Sequence, residues 1–309
     1  MARILVTGAS GLLGLNLCLG NWDSHSILAV DRGKLHHTPF EVVRADLTRL
    51  EQARRLIETI RPDAVIHAAA NANIDSCESD PEGARLLNGE IPGILAESAA
   101  RAGVRFLHVS TDAVFDGTKE GFYVETDTPN PLSVYAQTKL LGEQNVLAAN
   151  PQAIVARVNF FGWSLSGTRS LAEFFFNKLS AGQAANGFTD VYFCPLFVAH
   201  VSALLIQMLE AGLSGVYHVV GREALSKYEF GVRLARQFGF DERLVIPQSV
   251  EQSGLKARRS HNLRLSTHKL STDLGTEIPA LSTGIAQFYA QYQQGYPQKI
   301  RSYAQVGQA

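Results

Sequence analysis

The chain has few cysteines and no excess of either charge. Its 309 residues include three cysteines, none in a CxxC spacing, which argues against a disulfide framework and against a thiolate metal site. The nine histidines form no HExxH pair. With 28 Lys and Arg against 29 Asp and Glu the net charge is −1, so no global field attracts nucleic acid. We therefore expect no metal and no nucleic-acid partner.

A long apolar run is also missing. No stretch of about 18 apolar residues escapes polar interruption, which argues against a membrane span. The apolar start, Ile4–Val6, is too short for the core of a signal peptide and is followed at once by glycines. Hydrophobic residues nevertheless make up 46% of the chain, as in a globular protein with a large core. These features predict a cytoplasmic globular protein with reduced thiols and no membrane partner.

What the chain does contain is an alternation of strand and helix patterns over its first 160 residues. Short Val/Ile/Leu-rich runs, typical of parallel strands buried on both faces, alternate with segments whose apolar residues recur at helical spacing. This pattern predicts an α/β fold with a Rossmann-like doubly wound parallel sheet. The predicted strands are Ile4–Thr7, Ile27–Val30, Ala64–Ala68, Phe106–Ser110 and Ile154–Val158. The predicted helices are Leu12–Trp22, Leu50–Ile60, Pro81–Ala102 and Val134–Ala149.

The alternation breaks after about residue 160, where helices and short strands mix with glycine-rich loops. We predict a dinucleotide-binding Rossmann domain over residues 1–165 and a smaller, mainly substrate-binding α+β part over residues 166–309. A strand at Gly215–Val220, within a segment of about residues 196–220, is expected to return to the first domain. Helices are predicted at Leu171–Leu179, Leu204–Leu213 and Lys227–Phe238 and near Thr283–Gln293.

A glycine-rich segment follows the first predicted strand and opens the first predicted helix. Glycines let the backbone turn sharply and approach a diphosphate, whose charge is stabilised by the N–H groups at a helix N-terminus. The spacing is GxxGxxG, and its position between strand and helix is what favours dinucleotide binding over a plain tight turn. The predicted cofactor residues in this segment are Gly8, Ser10, Gly11, Leu12, Leu13 and Gly14.

Asp31, at the end of the second predicted strand, bears on the choice of cofactor. A carboxylate there can accept both ribose hydroxyls of the adenosine and would repel a 2′-phosphate. Arg32 next to it can stack on adenine or meet that phosphate. The sequence therefore favours NAD(H) and leaves NADP(H) as the alternative. Asp46 and Leu47, after the Val42-Val43 run, are placed to meet the adenine.

Tyr135 and Lys139 lie one helical turn apart on a predicted helix. A nearby cation favours the phenolate and is expected to lower the pKa of the tyrosine, which makes a phenol useful for acid–base chemistry. A solvated helix face is the alternative interpretation. Thr111 closes the preceding predicted strand, where ligands of open α/β sheets bind, so its hydroxyl can reach a reacting carbonyl.

Several stretches together resemble the extended short-chain dehydrogenase/reductase family and, within it, the dTDP-4-dehydrorhamnose reductase branch. The resemblance covers residue 3 to about residue 290. The stretches are His67-Ala-Ala-Ala-Asn71, Ser110-Thr-Asp-Ala-Val-Phe-Asp-Gly117, Pro131-Leu-Ser-Val-Tyr135-Ala-Gln-Thr-Lys139-Leu-Leu-Gly-Glu143, Gly215-Val-Tyr-His218 and Asn262-Leu-Arg-Leu-Ser-Thr-His-Lys269-Leu270.

The resemblance implies hydride transfer to the C4 ketone of a nucleotide-activated 4-keto-6-deoxysugar, with Thr111, Tyr135 and Lys139 as the catalytic residues. It also implies that Asn88 supports the lysine through water and that the run after the third predicted strand binds the cofactor. The additional cofactor residues are therefore Ala68, Ala69, Ala70, Asn88, Tyr135 and Lys139. The substrate residues implied are Asp112, Val114, Phe115, Asn159, Phe160, Trp163 and Arg259.

The sequence departs from the branch where the sugar is expected to lie. Arg259 is followed by Ser260 where the branch usually has Pro, and the Asn159-Phe-Phe-Gly162 segment is unusual. The base, the sugar and the product stereochemistry therefore stay open. The sequence does not give the oligomeric state either, and a homodimer is one alternative.

Two other functions stay open as alternatives. One is another sugar-nucleotide enzyme of the same superfamily, an epimerase or a dehydrogenase. A dehydratase is disfavoured because it needs an acid–base carboxylate pair beside the catalytic hydroxyl, and no Glu follows Asp112. The other is a non-catalytic NAD(P)-binding regulatory subunit, against which the presence of Thr111, Tyr135 and Lys139 argues.

Overall fold

The computed structural model describes residues 2–20, 22, 24–254 and 260–304. The strands are β1 Ala2–Thr7, β2 His25–Asp31, β3 Glu41–Arg44, β4 Ala64–His67, β5 Arg105–Thr111, β6 Ile154–Val158, β7 Phe160–Phe161, β8 Ala185–Phe188, β9 Tyr192–Phe193, β10 Leu196–Phe197, β11 Gly215–Val219, β12 Leu225–Ser226, β13 Val245–Gln248 and β14 Asn262–Leu263. The α-helices are α1 Leu12–Leu19, α2 Leu50–Ile60, α3 Ile74–Ser79, α4 Pro81–Ala84, α5 Ile91–Ala102, α6 Val134–Ala149, α7 Leu171–Ser180, α8 Val198–Glu210, α9 Lys227–Phe238, α10 His268–Leu274, α11 Leu281–Gln293 and α12 Tyr296–Ser302. A π-helical segment, Arg85–Glu90, joins α4 to α5, and 3₁₀ turns occupy Asp112–Val114, Glu242–Leu244 and Val250–Gln252.

Seven parallel strands form the central sheet in the order β11-β6-β5-β4-β1-β2-β3. In this order β1 lies between β2 and β4, with Leu5 level with Leu28 on one side and with Val65 on the other. The chain thus winds outward from β1 in two opposite directions. Ligands of open α/β sheets bind at such a reversal, outside the carboxyl ends of the strands. The sheet confirms the predicted doubly wound α/β fold and places the glycine-rich turn after β1 at the reversal.

The five predicted strands of the first part are confirmed, and α2, α6 and α9 have the predicted bounds. The predicted strand at Gly215–Val220 is found as β11 and pairs with β6 in the central sheet. The first helix is shorter than predicted and ends at Leu19. Gly20 caps it in an extended conformation, and the Trp22 indole donates back to the Leu17 carbonyl. β3 is not predicted because its four residues are exposed or half-buried at the sheet edge.

Both faces of the central sheet are covered, which explains why its strands are apolar without alternation. Along β1, Leu5 belongs to one core together with residues of α2 and α5. Ile4 and Val6 face the other core, which includes α1 and α8 and continues into the part of the chain after residue 160.

Aromatic rings dominate the core of that second part. Phe161, Phe197, Phe230 and Phe288 are buried, and Phe161 meets the other three rings at centroid distances of 5.7, 5.2 and 5.8 Å respectively. Apart from β11, the strands of this part form three small sheets. They consist of β7 with β10, of β8 with β13, and of β9 with β12 and β14. Among the described residues, no helix has the length and apolar character needed to cross a membrane.

Candidate active site

The turn between β1 and α1 is shaped by glycines that no larger residue can replace. Gly8 has a φ of +72°, and a Cβ there would lie 2.6 Å from the Ala69 Cα at the end of β4. A Cβ on Gly14 would collide with the Gly8 carbonyl. Gly11 is the N-cap of α1 and has no side chain that could cap the helix. The first amides of the helix therefore bond to no capping side chain and are available to a ligand. Such a helix start is suited to binding phosphate.

A groove of about 910 Å³ opens in front of this turn, outside the carboxyl ends of β1, β2 and β4. Most of the predicted cofactor residues lie in its walls, namely Gly8, Ser10, Gly11, Asp31, Arg32, Asp46, Leu47, Ala68, Ala69 and Ala70. Leu12 and Leu13 are buried in the first turn of α1 behind the glycines. The structure thus gathers residues from four separate segments into one cleft of a size suited to a dinucleotide.

Asp31 is buried in the part of the groove where we expect the adenosine to bind. One oxygen of its carboxylate accepts hydrogen bonds from the amides of Gly33, Lys34 and Leu35, at 2.7, 2.5 and 3.3 Å. Burial acts to raise the pKa of Asp31, but the bonds from Ser10 and from these amides outweigh it and lower the pKa. The carboxylate therefore stays ionised and also holds the loop that carries the exposed Arg32.

The Thr111 hydroxyl and the Tyr135 phenol meet where β5 ends and α6 begins. Thr111 is hydrogen-bonded to Tyr135, donates to an Asp112 carboxylate oxygen at 3.1 Å and accepts from the Ala113 amide. Ser133 caps α6 by accepting from the Ala136 amide, which fixes the first turn on which Tyr135 lies. The two hydroxyls are thus held together by a strand end and a capped helix start.

The pKa of Tyr135 differs from the sequence-based expectation. Burial raises it to about 12, the hydrogen bond with Thr111 acts against this, and the charge of Asp112 adds to it. The sequence predicts that Lys139 lowers the pKa of Tyr135, and this lowering is not seen. The Lys139 ammonium instead donates to the Val109 carbonyl at 2.6 Å and to the His108 Nε2 at 3.2 Å, against strand β5.

Lys139 is itself almost fully buried. Burial lowers its pKa to about 8, while the Glu143 carboxylate acts to raise it. Burial also lowers the pKa of His108 well below its usual value and that of His67 to about 3. Both imidazoles are therefore neutral at physiological pH, and His108 can accept the hydrogen bond from the ammonium.

Asn88 connects the groove to helix α6. Its amide donates to the Asn71 carbonyl at 3.0 Å and to the Thr138 hydroxyl at 3.2 Å, and its oxygen accepts from the Asn71 amide at 2.8 Å. Asn71 lines the groove, and Thr138 precedes Lys139 on α6. Within the described residues Asn88 thus reaches the neighbour of the lysine and not the lysine itself.

The predicted substrate residues separate into two groups. Asp112 and Asn159 lie beside Thr111, and the Asn159 amide donates to Asp112 at 2.5 Å. Burial raises the pKa of Asp112, while hydrogen bonds from Asn159 and Thr111 act to lower it. Phe160 follows on β7 and is partly buried.

Three other predicted substrate residues are core residues in this structure. Val114 and Phe115 are fully buried, and the Phe115 ring stacks on Tyr123 at 4.1 Å. Trp163 is also fully buried, stacks on Phe288 at 4.0 Å and donates to its carbonyl. Their burial indicates that these three side chains pack in the core, and the substrate contacts predicted for them stay predictions. Arg259 lies outside the described residues.

A buried ion pair beneath the site is not predicted from the sequence. Arg157 on β6 donates from Nη2 and Nε to the Glu143 carboxylate on α6 at 2.8–3.2 Å, and the Ser110 hydroxyl donates to the same carboxylate at 2.5 Å. The Arg157 guanidinium also lies 5.0 Å from the Phe115 ring centre. The available signal is an arginine inside an otherwise apolar buried strand, which requires a partner.

The fold and the site define a class of protein. A glycine-rich turn at the reversal of a parallel sheet, with a threonine–tyrosine pair at the end of β5 and a lysine one helical turn on, is the arrangement of an extended short-chain dehydrogenase/reductase. A family model described as "RmlD substrate binding domain" matches residues 2–294. The chain therefore belongs to the family that this model describes, the RmlD substrate-binding domain family.

Relatives similar in sequence align with almost the whole chain. A probable low-salt glycan biosynthesis reductase of Haloferax volcanii is 31% identical over 93% of this chain and 97% of its own. A dTDP-4-dehydrorhamnose reductase of Burkholderia thailandensis is 32% identical over 90% of this chain and 94% of its own. The methionine adenosyltransferase 2 subunit beta of Rattus norvegicus is 33% identical over 90% of this chain and 84% of its own.

The same fold is present in solved structures. A dTDP-4-dehydrorhamnose reductase of Bacillus anthracis, solved in complex with NADP, aligns with a TM-score of 0.84 at 24% identity. The alignment covers 94% of this chain and 99% of the other, so the two share the whole fold.

Proposed function

We propose that the chain is an NAD(P)-dependent reductase of a nucleotide-activated 4-keto-6-deoxysugar, similar to dTDP-4-dehydrorhamnose reductase. The observation that carries the proposal is the Thr111–Tyr135 pair at the end of β5, with Lys139 one turn further along α6. Asn71 of the dinucleotide groove is connected to α6 through Asn88 and Thr138. The relatives named as reductases support it. The glycine turn fits the cofactor because its amides are uncapped and its glycines leave space that a Cβ would fill.

The bound cofactor supplies a hydride to C4 of the sugar. The ketone oxygen then gains negative charge and needs a proton donor, which is the Tyr135 phenol. With its pKa raised to about 12, this phenol is protonated at neutral pH and available as an acid. The Thr111 hydroxyl orients the carbonyl by a second hydrogen bond. The charge of the Lys139 ammonium, which is held on β5 by Val109 and His108 one helical turn from Tyr135, is proposed to stabilise the phenolate that remains, and the ammonium would bind the nicotinamide ribose.

The sugar nucleotide lies, in this proposal, between the dinucleotide-binding residues 1–165 and the mainly substrate-binding residues 166–309. Asp112 and Asn159 bind its sugar because their side chains adjoin Thr111. Phe160 and Arg259 are proposed to complete the substrate contacts.

A substrate screen tests this function. Purified protein is mixed with dTDP-, UDP- and GDP-linked 4-keto-6-deoxysugars, and the absorbance of the reduced cofactor is followed. We expect consumption of the cofactor with one nucleotide series. Failure of all three series to oxidise the cofactor would contradict a reductase.

A second candidate function is a regulatory NAD(P)-binding subunit, which the 33% identity to methionine adenosyltransferase 2 subunit beta favours. Such a subunit binds the cofactor without consuming it. The same screen distinguishes the two, because fluorescence titration would then show NADH binding while no sugar nucleotide is reduced.

We expect the chain to prefer NADH to NADPH by about tenfold or more in KM, because an ionised carboxylate repels a 2′-phosphate. Hydrogen bonds keep Asp31 ionised in the groove wall. The two Michaelis constants measure this preference, and Asp31→Asn, which removes the charge and keeps the shape, should reduce it. A wild-type preference for NADPH would show that Arg32 and Lys34 dominate instead.

Turnover is expected to fall as the pH rises through about 8. Burial sets the pKa of Lys139 at about 8, so above this pH the ammonium is lost and the phenolate is no longer stabilised. The Tyr135 phenol keeps its proton to about pH 12 and does not cause this fall.

The measurement is kcat at saturating substrates between roughly pH 6 and pH 10. Lys139→Arg is the matched variant, since a guanidinium stays charged throughout this range. We expect its residual activity to lack the alkaline fall. The same fall in both proteins would show that another group causes it.

A further inference from the structure

A short segment of the second part, residues 164–169, lies across the dinucleotide groove, and we call it the strap. Its ends are tied to one carboxylate, that of Glu173 on α7, which has no exposed surface. Glu173 accepts from the Ser164 amide at 2.7 Å, the Ser164 hydroxyl at 2.8 Å, the Arg169 amide at 2.9 Å and the Ser170 amide at 3.1 Å. Four donors on one buried carboxylate fix the shape of the strap.

The strap begins beside α1. The Asn16 amide on α1 donates to the Trp163 carbonyl at 3.0 Å, immediately before the strap. Ser166, Thr168 and Arg169 of the strap line the same groove as Gly8 and Gly11. Residues from both parts of the chain therefore face the groove into which the glycine turn opens.

The strap is also supported from behind. Gly167 has a φ of +72°, and a Cβ on it would collide with the Arg301 guanidinium of α12. The Asn177 amide donates to the Gly167 carbonyl at 2.8 Å. The contacts with α7 and α12 therefore hold the backbone of the strap beside the groove.

Arg169 brings a cation to this wall. Its side chain is exposed, and within the described part of the chain no carboxylate lies close enough to form an ion pair with it. By contrast, Arg233, Arg236 and Arg243 are each paired with a carboxylate. A guanidinium matches the geometry of phosphate oxygens and can donate two hydrogen bonds to them.

We propose that Arg169 binds the diphosphate of the nicotinamide dinucleotide, across the groove from the amides of the glycine turn. The diphosphate is then held from two sides, by the start of α1 and by a residue of the second part. Arg32 and Lys34 lie in the groove wall beside Asp31, where the adenosine ribose is expected, so they do not replace Arg169 at the diphosphate. This inference rests on the dinucleotide-binding half of the proposed function and on no step of its chemistry.

The experiment measures dissociation constants without any sugar substrate. NADH, ADP and adenosine are titrated into the wild-type chain, Arg169→Ala and Arg169→Lys by calorimetry. Arg169→Ala should bind NADH and ADP about ten- to a hundred-fold more weakly, as expected for the loss of a hydrogen bond between charged groups. Adenosine, which has no phosphate, should bind all three proteins equally. Arg169→Lys should recover part of the loss because it restores the charge without the paired donors.

The matched control is Lys178→Ala, which removes an exposed cation of α7 whose ammonium contacts Gln183 and not the groove. It should leave all three dissociation constants unchanged. Two outcomes would overturn the proposal. One is binding of NADH and ADP by Arg169→Ala within about twofold of wild type, and the other is an equal loss for adenosine. Because no sugar is present, a chain that reduces no 4-keto sugar can still pass this test, and a working reductase can fail it.

Discussion

Tyr135→Phe is expected to lower the turnover of a 4-keto sugar nucleotide by about 10²–10⁴, or roughly 3–5 kcal/mol of activation free energy, because it removes a positioned acid. Only the hydroxyl is lost, and with it the hydrogen bond to Thr111. The ring still occupies the first turn of α6, which Ser133 caps independently. The fold and the affinity for NADH should therefore stay close to those of the wild type.

Single-turnover kinetics and NADH titration of the same protein separate these effects. The matched control is Tyr123→Phe, which removes a hydroxyl that donates to Asp116 at 2.8 Å and lies outside the proposed acid–base pair. We expect it to retain turnover within about tenfold. If Tyr135→Phe reduces the sugar within a few-fold of wild type, Tyr135 is not the acid and its helix face has another role.

Glu143→Ala is expected to destabilise the fold by about 3–5 kcal/mol, because it leaves the Arg157 guanidinium buried without its partner. The two side chains are only 3% and 4% exposed, so water cannot replace the lost carboxylate. Ser110 loses its acceptor as well. The effect is measured as the free energy of unfolding in urea. Wild type and variant are compared with the same slope of this free energy against urea concentration.

The control for Glu143 is an exposed ion pair of the same chain. Glu97→Ala breaks the contact with Arg101 on α5, where both side chains are at least half exposed, and should cost no more than about 1 kcal/mol. The double variant Glu143→Leu with Arg157→Met should recover most of the stability, since an apolar pair can replace a buried ion pair. A loss of less than about 1 kcal/mol for Glu143→Ala would show that the pair contributes no more than a surface one.

The sheet and the glycine turn could be predicted from the sequence because both follow local rules. Buried parallel strands are continuous apolar runs, so β1, β4 and β6 stand out. The glycines of the turn are required by close backbone approach, since a Cβ on Gly8 would reach the backbone of Ala69. The packing partner lies 61 positions away, but the glycine needed to admit it is visible in the sequence.

Side-chain direction is what the sequence could not give. Phe115 lies close in the chain to Thr111 and Asp112, and Trp163 directly precedes the strap, yet their rings face the core. A one-turn spacing places Lys139 beside Tyr135, but the sequence does not reveal that the ammonium finds acceptors on β5 instead. The strap was missed for the same reason, because its position depends on contacts with α1 and α12 that are distant in sequence.

The most direct test of the central claim, hydride transfer to the sugar with a proton from Tyr135, is a labelled turnover. Reduced cofactor in which both hydrogens at C4 of the nicotinamide ring are deuterium is incubated with the reactive 4-keto sugar nucleotide, and the product is examined by NMR. The account predicts one deuterium at C4 of the sugar, one equivalent of oxidised cofactor, and loss of both signals in Tyr135→Phe. Product without deuterium at that carbon, or conversion of the sugar with no net oxidation of the cofactor, would contradict it.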